Sequence, residues 1–176
     1  MVYRIFVEKR PGLSPEAANL LSDLKNFLGI ANLEGVRILN RYDVENIDPE
    51  VYAAAKNTVF SEPQVDVIYD ETFPQPRSLH TLLAVEALPG QFDQRSDSCA
   101  QCIQLMAGVE RPLVSYAKVY LLEGTFSCED LEKIKTYLIN PVECREASLE
   151  KPETLAVSHQ EPQPVAVLTM RSTLSL

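Results

Sequence analysis

Val7-Glu8-Lys9-Arg10-Pro11-Gly12 returns in this chain as Val85-Glu86-Ala87-Leu88-Pro89-Gly90, 78 residues later (85 − 7). Each copy lies between a strand pattern and a helical pattern, and the two helical patterns end at Gly29 and Gly108. A second strand, a capped helix and a short third strand follow in both copies. Two copies of ~80 residues predict two like halves facing each other across a pseudo-twofold axis, as in a symmetric dimer joined into one chain.

The repeat predicts an α+β fold in which two βαβαβ halves, related by a pseudo-twofold, form a two-layer sandwich. Pro74 and Pro76 lie in a stretch without apolar periodicity, which indicates a linker between the halves. Beyond residue 150 the periodic pattern dissolves again. The predicted segments are the first half, the linker, the second half, and an extended linker with a tail, at 1–70, 71–80, 81–150 and 151–176.

Four helix starts can be read from local signals. Two of them show a polar cap followed directly by proline, which suits the first helical turn. A third shows an acidic variant of the capping box, and the fourth follows a cluster of polar residues. The residues concerned are Ser14-Pro15, Asp48-Pro49, Ser127 with Asp130, and Asp93 or Ser96.

The strand pattern from Val36 to Val44 is only half apolar. We therefore expect one face of the sheet to pack on helices and the other to be wetter. Glu8 and Glu86 hold equivalent places in the two repeats. Two such carboxylates can meet as a general acid/base pair, but solvation at the strand edge is the favoured interpretation.

Composition excludes several classes of function. The formal net charge of −9 argues against nucleic acid, whose phosphates need a basic surface. No apolar run approaches the ~20 residues that span a bilayer, so no membrane partner is expected. The first residues read as a strand and not as a signal peptide, which favours a cytoplasmic location.

No residue pattern predicts a catalytic, cofactor or metal site in this chain. Cys99 and Cys102 form a C-x-x-C without a second pair, and both fall on the apolar stripe of a helix. Buried structural cysteines are therefore favoured over zinc ligands or a redox pair. His80 and His159 have no nucleophile placed beside them by a local motif, and the glycines form no phosphate-binding loop.

The best candidates for partner contacts lie in two short segments. The first follows Pro89-Gly90 and leads into a helix, where an anion or a neighbouring domain can meet an arginine; an ordinary helix cap is the plainer interpretation. The second is an apolar run in the tail that lacks a local partner strand. The candidate interface residues are Gln91, Phe92, Asp93, Gln94, Arg95, Val165, Val167 and Leu168.

Several longer runs resemble the N-terminal domain of large, single-chain phosphoribosylformylglycinamidine synthase, and the resemblance covers about residues 1–168. The last eight residues depart from the family's continuation, and a truncated reading frame would explain that departure. The runs that carry the resemblance are Tyr3 to Gly12, Arg37 to Val44, Leu88 to Arg95, Ala100 to Gln104, Ala117 to Tyr120 and Tyr137 to Val142.

The resemblance implies a non-catalytic part of a ligase of purine biosynthesis. The full enzyme amidates formylglycinamide ribonucleotide with ATP, magnesium and glutamine, and its N-terminal domain resembles a fused dimer of the separate small subunit (PurS) of the multi-subunit form. The implied partners are the synthetase and glutaminase domains, which the domain would hold together for ammonia transfer. The chain alone is expected to be inactive and to bind no cofactor.

Two other functions remain open on the sequence. Duplicated α+β domains of this size can bind small effectors at their pseudo-twofold interface, which would make the chain a regulatory module. A thiol redox protein is the second alternative, since a C-x-x-C is present. Self-association of the chain into a homo-oligomer is also left open.

Overall fold

A six-stranded antiparallel sheet forms the centre of the computed structural model, which describes residues 1–156, and helices pack on one of its faces. The strand order is β3-β1-β2-β5-β4-β6. The predicted α+β class is confirmed. The elements are β1 (Tyr3–Lys9), α1 (Pro15–Asn26), β2 (Leu33–Glu45), α2 (Pro49–Ala55, continued by a wider helical turn at Lys56–Phe60), β3 (Asp66–Asp70), β4 (His80–Ala87), α3 (Gln94–Ala107), β5 (Leu113–Gly124), α4 (Cys128–Leu138) and β6 (Cys144–Glu146).

The strand registers follow one constant spacing. Val7 of β1 lies opposite Asn40 of β2, and Val85 of β4 lies opposite Lys118 of β5, so both residues of the second pair come 78 positions after those of the first (85 − 7 and 118 − 40). Asn40 and Lys118 also lie opposite each other in the central β2–β5 ladder. The edge ladders keep the same spacing, in the pairs Val7–Ile68 and Val85–Glu146.

Two apolar clusters lie between the sheet and the helices, and each takes residues from both repeats. The first joins α1 to α4, with Leu24 and Ile134 fully buried. The second joins α2 to α3, with Ala55 and Ile103 fully buried. Because each cluster contains one helix from each repeat, the hydrophobic burial that stabilises one repeat depends on the presence of the other.

The helix starts lie where the sequence predicted them, but the caps differ in strength. Asp93 caps α3, since its Oδ1 accepts hydrogen bonds from the backbone N–H groups of Arg95 and Ser96. Ser127 and Asp130 form the reciprocal capping box at the start of α4, as predicted. The predicted caps of α1 and α2 make no side-chain hydrogen bond, so proline at the first helical position supplies the start signal there.

None of the helices within residues 1–156 is both long enough and apolar enough to cross a membrane. The longest, α3, has 14 residues. A helix rises about 1.5 Å per residue, so α3 reaches only about 21 Å against a hydrocarbon core of about 30 Å.

Ile103→Ala tests whether the two repeats share one core. Ile103 is 0% exposed on α3, and its cluster also contains residues of β1, β2 and α2. The substitution should lower the free energy of unfolding by about 2–5 kcal/mol in a single urea transition that includes both repeats. The matched control is Leu105→Ala on the same helix, which is 76% exposed and should change stability by less than about 0.5 kcal/mol. Two separate transitions, with only one of them shifted, would contradict a shared core.

Candidate functional site

The turn before α3 presents an exposed aromatic side chain. Gly90 has a φ of +85°, a left-handed conformation that glycine adopts without a Cβ penalty. The turn is anchored at both ends of its backbone, because Gln91 N–H donates to Leu88 O at 3.0 Å and Leu88 N–H donates to Glu143 O at 3.0 Å. Phe92 follows and is 75% exposed. A large apolar ring on an anchored turn can be buried by another surface with little loss of conformational entropy.

The other predicted residues of this turn divide into two kinds. Gln91 and Gln94 are exposed and make no side-chain hydrogen bond within the described residues. Asp93 is occupied by the helix cap described above. Arg95 lies with its guanidinium 5.3 Å from the centre of the Tyr116 ring and donates weakly to the Tyr42 hydroxyl at 3.5 Å. The contacts of Arg95 therefore fix the turn on the sheet. The tail candidates Val165, Val167 and Leu168 lie outside the described residues.

A groove of about 730 Å³ lies beside this turn. The β4–α3 turn and the start of α3 form one wall, and the beginning of β5 with residues 152–155 forms the other. Two ion pairs lie along it, Arg111 with Asp97 and Arg145 with Glu86. A smaller groove of about 450 Å³ occupies the corresponding place in the first repeat, between the β1–α1 turn and β2.

The face of the sheet opposite the helices is not wet, contrary to the expectation from its half-apolar strands. Arg4 of β1 and Asp43 of β2 form a bidentate ion pair there, with nitrogen–oxygen distances of 2.6 and 2.8 Å and exposures of 4% and 2%. Arg41 is 4% exposed beside them. Buried charges need partners and hydrogen bonds to offset their desolvation, so this cluster specifies a definite covering above the sheet.

The covering is the segment 147–156, which we call the strap. Two buried arginines bind three successive carbonyls of the strap: Arg41 donates to Ser148 O at 2.6 Å, and Arg4 donates to Leu149 O at 2.8 Å and to Glu150 O at 3.1 Å. Charge-assisted hydrogen bonds of this kind hold the backbone of the strap directly.

Glu45 of β2 holds the far end of the strap. Its Oε2 accepts hydrogen bonds from Leu155 N–H at 2.7 Å and from the Thr154 hydroxyl at 2.9 Å. The bond from Leu155, followed by the bond from Thr154, lowers the pKa of the Glu45 carboxyl below its usual 4.5. A lowered folded-state pKa stabilises the attached strap fully above about pH 4.5, and that stabilisation is lost as the pH falls through the folded pKa.

The two equivalent glutamates do not meet. Glu8 binds Arg37 through two hydrogen bonds of 2.7 and 2.6 Å, and Glu86 binds Arg145 at 2.8 Å. The Glu8–Arg37 pair is partly buried, whereas Arg145 in the second pair is exposed; both glutamates are ion-paired, so neither an acid/base pair nor simple solvation describes them.

Cys99 and Cys102 of the C-x-x-C differ in exposure. Cys99 is buried at 7% exposure, as predicted, whereas Cys102 is exposed, so the prediction that both are buried is wrong for Cys102. Burial raises the pKa of the Cys99 thiol to about 11. A thiol that stays protonated at neutral pH is a poor nucleophile, which argues against a redox pair of the thioredoxin kind.

The described residues contain no group of three or more histidine, cysteine, aspartate or glutamate side chains that could hold a metal ion. The His80 ring contacts the segment that precedes it: its Nδ1 lies 2.9 Å from Ser78 O and its Nε2 lies 3.1 Å from Gln75 Oε1. Its ring therefore holds the connection between the repeats against β4.

Comparison with known proteins assigns no family. No family model matches the chain, and no curated protein matches it either.

Alkylation distinguishes the two cysteines. At pH 8 the buried Cys99 should react with iodoacetamide at least about tenfold more slowly than Cys102 on the same helix, because its thiol is shielded and its pKa is raised. Mass spectrometry of peptides from a time course measures both rates, with Cys102 as internal control. Equal rates in the folded protein would show that Cys99 is not shielded, and would restore the redox alternative.

Arg4→Gln tests the attachment of the strap. The substitution leaves Asp43 as a buried charge without its main partner and removes two bonds to strap carbonyls, so the free energy of unfolding should fall by about 3–5 kcal/mol. Limited proteolysis should then cut within 147–156. Arg10→Gln is the control, because Arg10 is exposed and donates to a single loop carbonyl. Unchanged stability and an uncut strap in Arg4→Gln would contradict the assigned role.

Proposed function

We propose that this chain is a duplicated, small-subunit-like scaffold domain of the kind found at the N-terminus of single-chain phosphoribosylformylglycinamidine synthase. The observation that carries the proposal is the constant spacing of 78 residues across the strand registers. Chance similarity of two local motifs would not align three different ladders at one offset. Duplication of a βαβαβ unit accounts for all of them at once.

The pairing at the centre of the sheet supports a fused dimer. In a twofold dimer, equivalent residues of the two copies lie opposite each other at the axis. Asn40 and Lys118 are equivalent by the repeat and are paired in the β2–β5 ladder. The helices support the same interpretation, since the first helix of each repeat packs with the second helix of the other.

The proposed role is to hold a synthetase domain and a glutaminase domain together in the cytoplasm, so that ammonia passes between them. Tethering raises the effective concentration of one site at the other without any new chemistry in the tether. ATP, magnesium and glutamine would act in the partner domains, and no catalytic step is assigned to residues 1–156. Phe92, with the exposed Gln91 and Gln94 beside it, is the proposed contact with a partner domain.

A regulatory small-molecule module is the second candidate, and the groove of about 730 Å³ favours it. Ligand sites commonly occupy 300–1,000 Å³, roughly the range in which this groove falls. A thermal-shift screen with nucleotides and amino acids separates the two candidates. A scaffold should show no saturable response from a nucleotide or an amino acid, whereas a rise of several degrees with one ligand would favour regulation.

Phe92→Ala tests the scaffold role. The purified chain is mixed with the synthetase and glutaminase portion of the single-chain enzyme, and association is measured by calorimetry. The substitution should weaken binding by about tenfold or more if the ring is a central contact. Phe27→Ala is the matched control, because that ring is 78% exposed at the end of α1 and lies outside the proposed surface.

Turnover completes the test. The chain alone should form no ADP above background from formylglycinamide ribonucleotide, ATP, magnesium and ammonia. Absence of any association, or turnover by the chain alone, would overturn the proposal. Association that Phe92→Ala leaves unchanged would keep the scaffold and reject the assigned surface.

A further inference from the structure

A cavity of about 330 Å³ lies between the strap and the sheet and opens to solvent. Arg41 and Ser115 contribute from the sheet, and Ser148 and Glu150 contribute from the strap.

One hydrogen-bond donor beside this cavity lacks an acceptor. The Arg41 side chain is 5% exposed, and its Nη1 is used by Ser148 O. Its Nε is buried and has no hydrogen-bond partner within the described residues. Asp43 Oδ2 lies 3.5 Å away, too far and too poorly aligned to serve. Buried polar groups are normally satisfied, so an orphaned donor on a residue that lines this cavity indicates a missing acceptor.

The charges around the cavity give Arg41 one nearby carboxylate, Asp43, which it shares with Arg4. Glu150 is exposed, and the other lining carboxylates are engaged by other cations. Those pairs are Asp43–Arg4, Glu86–Arg145 and Glu146–Lys135. Burial lowers the pKa of Arg41, and the attraction of Asp43 only partly offsets that effect. An additional anion would therefore favour the charged guanidinium.

We propose that this cavity binds a small oxyanion, a carboxylate or a phosphate group, on the Nε–H edge of Arg41. A guanidinium presents its donors in a planar fork that matches two oxygens of either anion. The Ser115 hydroxyl, in the same cavity, supplies a further donor. The site goes beyond the scaffold role and does not depend on it. Val119 stands 78 residues after Arg41, so the second repeat has no arginine at the equivalent position.

Bound anion would hold the strap to the sheet. Arg41 already binds the strap through Ser148, and the cavity is walled by the strap on one side. A ligand that binds only when the strap is closed stabilises the closed form by mass action. The occupied site should therefore raise thermal stability and protect the strap from proteolysis.

The experiment is an NMR titration of the whole chain. The Nε–H signals of Arg41 and Arg37 are followed while inorganic phosphate, acetate or chloride is added at equal ionic strength. Arg37 is the internal control, because its Nε already donates to Glu8 at 2.7 Å. The Arg41 signal should shift saturably with phosphate or acetate while that of Arg37 does not, and the thermal midpoint should rise by about 2–5 °C near saturation.

Variants supply the second readout. Arg41→Lys keeps the charge but removes the fork, and should abolish the rise in midpoint, whereas Arg37→Lys should retain it. A larger response to phosphate assigns a phosphate ligand, and a larger response to acetate assigns a carboxylate. No saturable shift of the Arg41 signal with either anion would overturn the proposal, as would an equal rise in midpoint for Arg41→Lys and the unmodified chain. The titration of the unmodified chain decides the matter even if Arg41→Lys does not fold.

Discussion

The central ladder between β2 and β5 is the constraint on which the rest of this molecule depends. Twelve residue pairs join these two long strands, more than in any other ladder of the sheet. The ladder makes one sheet from two repeats, and it positions each helix beside a helix of the other repeat. A shift of one residue would turn every side chain of one repeat to the opposite face, so the apolar clusters and the charged face fix the same register.

Both faces of this sheet bury apolar side chains, and the face away from the helices adds a buried charge cluster. Apolar side chains of β1, β2, β4 and β5 pack under four helices on one face, where nonspecific burial supplies the main driving force. On the other face, buried arginines hold backbone carbonyls of the strap. Hydrogen bonds of that kind specify where the strap lies more sharply than apolar contact does. The strap is thus held at a defined place on the sheet.

The helix starts and strands were predicted correctly because they depend on signals that are local in the sequence. Proline after a polar residue marked the starts of α1 and α2, and the capping box marked the start of α4. The α+β class and the six strands were predicted from apolar alternation and from the repeat. The ends of β2 and β5 were less well predicted, because their additional residues are held by pairing with each other and not by local propensity.

The buried charge cluster of Arg4, Arg41 and Asp43 could not be predicted from local sequence signals. Arg4 and Asp43 are 39 residues apart, and only the antiparallel register places them side by side. Charged residues at alternate positions of a strand usually form a solvated face. Here the strap covers that face and buries Arg4, Arg41 and Asp43. Alternation of Arg41, Asp43 and Glu45 was the available signal, since three charges in a long central strand need partners. The contacts of Arg95 could not be predicted either, because its aromatic partners, Tyr42 and Tyr116, belong to strands distant in sequence.

Native-state hydrogen exchange across a urea series tests the dependence on the central ladder most directly. If β2 and β5 join the two repeats into one cooperative unit, their amides should exchange only through global unfolding, with equal opening free energies and equal urea dependence. The amides from Ile38 to Asp43 and from Ser115 to Tyr120 are the ones to compare. An opening of one repeat at markedly lower free energy, with the other still protected, would contradict the account.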